Sequence, residues 1–96
     1  MKKLYVLVRK DLQRSQQAVQ AGHALAEYLL SGYNDWNNGT LVYLSVKNEE
    51  SLVDWTKKLT VNNMKWVGFR EPDMNDQLTA ISTVSDGEIF KLEKLL

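Results

Sequence analysis

The stretch Ser15–Leu25 reads SQQAVQAGHAL and holds the one histidine of the chain. At about 100° per helical residue, Gln16, Gln20, His23 and Glu27 fall in one narrow stripe. A carboxamide offers two N–H donors and a carbonyl acceptor and stays neutral at any pH. An imidazole takes up or releases a proton near neutrality. A helix face that simply meets water ordinarily carries Lys and Glu. This one carries uncharged hydrogen-bonding groups and an imidazole, so it reads as a functional face or as an unusual solvated one. Ala18, Gly22, Leu25 and Leu29 form the opposite stripe, with Ala21 and Ala26 beside it, and are the face expected to meet a sheet.

Cations recur at the ends of the apolar runs. Arg9 follows the first, Lys47 the second and Arg70 the third, with Lys10 and Arg14 close behind Arg9. In open α/β sheets the ligand crevice lies beyond the carboxyl ends of the strands. Helix N-termini open at that same edge and favour anions. Arg9, Lys10, Arg14, Lys47 and Arg70 are thus expected to form a broken basic rim suited to phosphate, although Lys and Arg also flank strands for solubility alone.

A chain of 96 residues suits one domain with one modest core, spanning 1–96. Twelve Lys and Arg balance twelve Asp and Glu, so no overall field draws nucleic acid non-specifically. The absence of cysteine excludes disulfides, thiolate nucleophiles and zinc knuckles. One histidine among scattered carboxylates is poor material for a metal site, and no cofactor is expected. No apolar run approaches the roughly 20 residues of a membrane span. A soluble cytoplasmic protein without membrane contact is the expectation.

The elements follow from local signals. Leu4–Val8 is a continuous apolar run, as in a strand covered on both faces. Ser15 is the expected cap of a helix running to about Ser31, closed by Gly32. A polar loop with Trp36 leads to a second strand, Thr40–Val46. Asn48 caps a second helix with Glu49 and Glu50 in its first turn. Met64–Phe69 reads as a third strand and Gln77–Val84 as a fourth, with Leu78, Ala80, Ser82 and Val84 on one face. Asp86 is expected to start a last helix burying Ile89, Leu92 and Leu96. The expected fold is an α/β three-layer sandwich around a mixed four-stranded sheet, in the order β-α-β-α-β-β-α. The fourth strand is expected to return antiparallel at or near an edge.

In this order the chain resembles the type 2 peptidyl-tRNA hydrolases. Val8-Arg9-Lys10-Asp11-Leu12 is similar to that family's strand ending in R-x-D-L. Gln17–Ala24, with Gln20 and His23, is similar to its A-A-Q-x-x-H-A helix. Trp36 and Gly39 before Val46-Lys47 resemble its W-x-x-x-G approach to V-V-x-K. Phe69-Arg70-Glu71 and Asp76-Gln77 stand where it has R-D and T-Q.

The resemblance implies an α/β sandwich that is commonly a homodimer. It also implies hydrolysis of the ester between a nascent peptide and the 3′ ribose of tRNA, without metal or organic cofactor and without a DNA partner. On that reading Gln20, Gln16, Asp11, His23, Glu71 and Asp76 line the catalytic site, while Arg9, Lys10, Arg14, Lys47 and Arg70 hold tRNA phosphates. Gln20 would then bind the carbonyl or oxyanion and His23 would handle the proton. The pattern also departs from the family. Its Gly-Lys pair falls at Ser15-Gln16, so a hydrogen-bond donor replaces a cation, and Arg14 is the nearest substitute. The alternatives are a silent tRNA- or protein-binding module of the same fold and a dimerisation domain with a solvated helix face.

Overall fold

The computed structural model describes residues 2–96. Its elements are β1 (Lys3–Arg9), α1 (Arg14–Leu30), β2 (Leu41–Val46), α2 (Glu49–Val61), β3 (Trp66–Glu71), β4 (Gln77–Ser85) and β5 (Lys94–Leu95). Short 3-10 turns occupy Pro72–Met74 and Glu88–Phe90. The five strands form one sheet in the order β3-β4-β1-β2-β5. β1 and β2 are parallel, whereas β4 runs antiparallel to both β1 and β3. The chain crosses toward one edge after β1 and toward the other after β2. Crossovers of one hand then place α1 and α2 on opposite faces of the sheet.

Each face has its own core. Tyr5, Leu7, Leu44, Leu52, Leu59, Ile81 and Phe90 pack under α2. Leu4, Val6, Val8, Ala21, Ala24, Tyr28 and Ala80 pack under α1. β1 contributes alternately to both, which is why its apolar run is unbroken. Tyr28 brings its phenol into the second core and donates to Asp35 at 2.8 Å. Burial, reinforced by Asp35, pushes that phenol well above its ordinary pKa.

Several expectations are corrected. The sheet has five strands, not four, because the C-terminal segment forms no helix. Gly87 adopts φ 94°, and any side chain there would run into the Tyr5 hydroxyl, so the chain turns sharply after Asp86. It then reaches the edge of β2, where Lys94 and Leu95 pair with Ser45 and Leu44. Leu92 and Leu96 are left exposed.

The buried face of α1 is Gln20, Ala21, Ala24 and Tyr28, whereas Ala18, Gly22 and Leu29 face outward. A helix built from alanine, glycine and glutamine gives weak periodic contrast. The face is decided here by the large Tyr28 and by partners available to Gln20. The helix starts at Arg14 after Gln13, which makes no side-chain cap bond, so Ser15 lies inside it.

Along β4, Leu78 packs under α2 while Ala80 and Val84 pack under α1. A register shift opposite Phe69/Arg70 inserts Thr79 and breaks the expected alternation. β4 lies inside the sheet between β3 and β1 and is buried along almost its whole length. By contrast, Asn48 caps α2 as expected, accepting from the Ser51 N–H at 3.0 Å. No helix of the described residues is long and apolar enough to cross a membrane.

Candidate functional site

The carboxyl end of β1, the start of α1, the end of β3 and the start of β4 meet at one edge of the sheet. Two polar clusters sit there. Gln20, fully buried, is the hub of the first. Its Nε2 donates to Glu71 Oε1 at 2.9 Å and to Gln16 Oε1 at 3.2 Å. Its Oε1 accepts from the Thr79 hydroxyl at 2.7 Å. Both amide hydrogens are thereby engaged, and an unpartnered buried amide would cost about 1–3 kcal/mol. The inserted Thr79 is what brings a hydroxyl under the helix at this level.

Glu71 is half-buried at the mouth. The hydrogen bond from Gln20 holds its carboxyl below the ordinary range. Partial desolvation opposes this, while the Asp73 N–H and the nearby His23 reinforce it. Glu71 Oε2 accepts from that N–H at 3.4 Å and so caps the Pro72–Met74 turn. His23 is exposed, and its ring stacks on Phe69 with centroids 4.1 Å apart and planes within 8°. Packing against Phe69 fixes the imidazole beside the carboxylate.

Arg9 organises the second cluster. Its side chain is only 8% exposed and grips Asp11 through two parallel bonds of 3.0 and 2.9 Å. It also donates to Gln77 Oε1 at 2.9 Å and to the Leu78 carbonyl at 3.2 Å. The bidentate contact lowers the Asp11 pKa and raises that of Arg9. Glu49 of α2 accepts the Leu78 N–H at 2.7 Å, so both backbone polar groups of Leu78 are held by side chains.

The expected residues therefore divide. Gln16, Gln20 and Glu71 come together, with His23 alongside. Arg9 and Asp11 form an internal pair that is unavailable to a phosphate. Asp76 lies in the turn before β4 with φ 58°, a conformation Asp tolerates. Its carbonyl accepts from Arg70 at 3.2 Å, and its carboxylate makes no contact with the Gln20 cluster. Of the expected rim, Lys10, Arg14, Lys47 and Arg70 are exposed. Lys10 and Lys47 open onto a separate cavity of about 410 Å³ beside Trp55. Trp36 packs against the α1-side core and donates to the Thr40 carbonyl at 3.0 Å, closing its own loop.

Thr79 was not singled out from sequence, and Phe69 and Gln77 entered only as flanking positions of the family likeness. Each is an ordinary strand residue in type, and only the register of β4 makes it part of a site. No group of three His, Asp or Glu side chains among the described residues is placed to hold a metal ion.

No protein-family model matches the chain, and no curated protein is significantly similar to it. Among solved structures it is similar to a protein of unknown function from Agrobacterium tumefaciens. That similarity has a TM-score of 0.74 at 14% identity and covers 99% of this chain and 97% of the other. The fold is thus shared over nearly the whole of both chains.

Proposed function

We propose that the chain hydrolyses the ester that joins a peptide to the 3′ ribose of tRNA. The observation that carries this reading is the chain of hydrogen bonds from Thr79 through Gln20 to Glu71, beside the stacked His23. It holds a carboxylate of lowered pKa at the strand-end side of the sheet, where α/β sheets bind ligands.

The roles differ from those expected. Gln20 is a positioning residue, since its donors are spent inside the protein. Glu71 receives the attacking water and orients it toward the ester carbonyl. Its lowered pKa makes it a weak base, because proton transfer is most efficient when the pKa lies near the working pH. The His23 ring, beside the carboxylate, takes the proton that the attacking water loses and delivers it to the departing ribose oxygen. Gln16, exposed beside Glu71, donates to the carbonyl oxygen as negative charge develops there. Arg14 and Arg70 flank the mouth and bind phosphate, with Lys10 and Lys47 further along the same edge.

Release of the acyl group from an N-acetylated aminoacyl-tRNA tests this. Wild type should turn over, and Glu71→Gln should lose on the order of 100-fold in rate. Gln16→Lys should speed release by adding positive charge at the developing oxyanion. A second reading, a binding module that has kept the fold, is favoured by one feature: no Lys or Arg side chain among the described residues pairs with Glu71. Wild type that binds tRNA with steep salt dependence but releases nothing would establish that reading. Wild type that does neither would dismiss both.

A further inference from the structure

The two edges of the sheet are finished differently. At one, β5 covers β2 through Leu44 and Ser45. At the other, β3 pairs only with β4, and among the described residues no backbone group closes its outer side. Thr83 and Thr79 hydroxyls donate to the carbonyls of Lys65 and Phe69, which therefore point toward β4. Strand geometry alternates, so the N–H and C=O groups of Trp66, Gly68 and Arg70 aim outward. Natural sheets blunt such an edge with a bulge, a proline or a mid-strand lysine. β3 has none of these between Trp66 and Phe69, and the register shift beside it falls in β4.

We propose that β3 pairs antiparallel with β3 of a second copy, about a two-fold axis at Gly68. The segment Lys65–Glu71 reads KWVGFRE and is complementary to itself in that register. Lys65 stands opposite Glu71 of the partner subunit, Trp66 opposite the partner's Arg70, and Val67 opposite the partner's Phe69. Opposite charges, a cation on an indole and an apolar pair are the cross-strand combinations that stabilise antiparallel strands. Centring one residue earlier sets Lys65 against a phenylalanine and Arg70 against Met64. Centring one residue later sets Glu71 against Val67. Within Lys65–Glu71, the Gly68 register alone sets opposite charges against each other.

Space and faces agree. A cavity of about 400 Å³ runs along this edge, lined by Val53, Thr56 and Trp66 on the α2 side and by Glu27 and Phe69 on the α1 side. Val67 and Phe69 pack on the α1 side and Trp66 on the α2 side. By alternation Lys65 and Glu71 share the α1 side. Consistently, Lys65 Nζ lies 5.0 Å from the ring centre of Tyr33, just beyond α1, and has no carboxylate partner among the described residues.

Pairing has a consequence for the site. Opposed residues stand about 5 Å apart across strands, so Lys65 of the partner subunit reaches the Glu71 carboxylate. A second copy then supplies the cation that Gln16 does not. This consequence rests on the hydrolase reading, whereas the pairing itself does not.

Amide hydrogen exchange on the wild-type chain, read by NMR at low and high concentration, tests the pairing. Val67 and Phe69 amides should be protected at both concentrations. Trp66, Gly68 and Arg70 amides should gain protection as concentration rises. Sedimentation of charge variants then fixes the register. Lys65→Glu alone and Glu71→Lys alone should each weaken association by about tenfold, and an equimolar mixture of the two should restore it. A chain that stays monomeric at high concentration, or association indifferent to both substitutions, overturns the proposal. A dimer that releases no ester keeps the pairing and removes the hydrolase reading, and ester release by a strict monomer does the reverse.

Discussion

Arg9 and Gln20 each hold a carboxylate at the same end of the sheet, Arg9 on the α2 face and Gln20 on the α1 face, yet the two clusters behave differently. Arg9 spends its guanidinium on Asp11, on Gln77 and on the Leu78 carbonyl, and it is sealed from solvent. Gln20 spends its amide on Thr79 below and on Gln16 and Glu71 above, and Glu71 faces outward. A cation at a strand end suits phosphate by residue type, yet Arg9 is spent inside the protein. The difference lies in where the acceptors come from. Four donor contacts to the chain itself use all but one of the five N–H groups of Arg9. A buried amide with one arm at the surface transmits order outward instead.

The largest expected effect on this contrast is on stability. Arg9→Met leaves Gln77 and the Leu78 carbonyl without a donor and strands a partly buried Asp11. With Asp11 about 40% exposed, solvent screening limits the loss to about 2–3 kcal/mol. For a domain of this size that lowers Tm by more than about 10 °C in thermal unfolding. A loss below about 0.5 kcal/mol would mean that Arg9 is a solvated, ligand-facing cation after all.

A smaller effect concerns acid. Asp11 and Glu71 both have lowered pKa values in the folded chain, from Arg9 and Gln20 respectively. Groups of this kind add stability above their unfolded pKa, near 4, and that stability disappears as pH falls through the folded values. Urea unfolding across pH 5 to 2 should therefore show a falling limb in wild type. The limb should be shallower in Arg9→Met, where the Asp11 share is gone. Equal slopes would show that the guanidinium does not hold Asp11 ionised.

Much of this architecture is legible in the residues. The unbroken run Leu4–Val8 declares a strand covered on both sides, and Asn48 with Glu49 and Glu50 declares a helix start. Gly32 marks the end of α1 through its positive φ. The two-residue β5 is not legible, because Lys94 and Leu95 become a strand only through the edge that β2 presents.

The buried face of α1 is misread for a related reason. Gln20 looks solvated by type and is buried because partners 51 and 59 residues away satisfy it. Gln16, Gln20, His23 and Glu71 were found from spacing and family likeness. Thr79 and the closure of Arg9 by Gln77 depend on the register of β4, which no local pattern encodes.

The central claim is that Gln20 acts on Glu71. It is tested most directly by titrating the Glu71 side-chain carboxyl by carbon NMR in wild type and in Gln20→Leu. Leucine fills nearly the same space and removes the amide. The expected result is a midpoint below the ordinary glutamate range in wild type and a return toward that range in the variant, with the fold retained. An unchanged midpoint would contradict the account, because Glu71 would then owe its ionisation to something other than the buried amide beneath it.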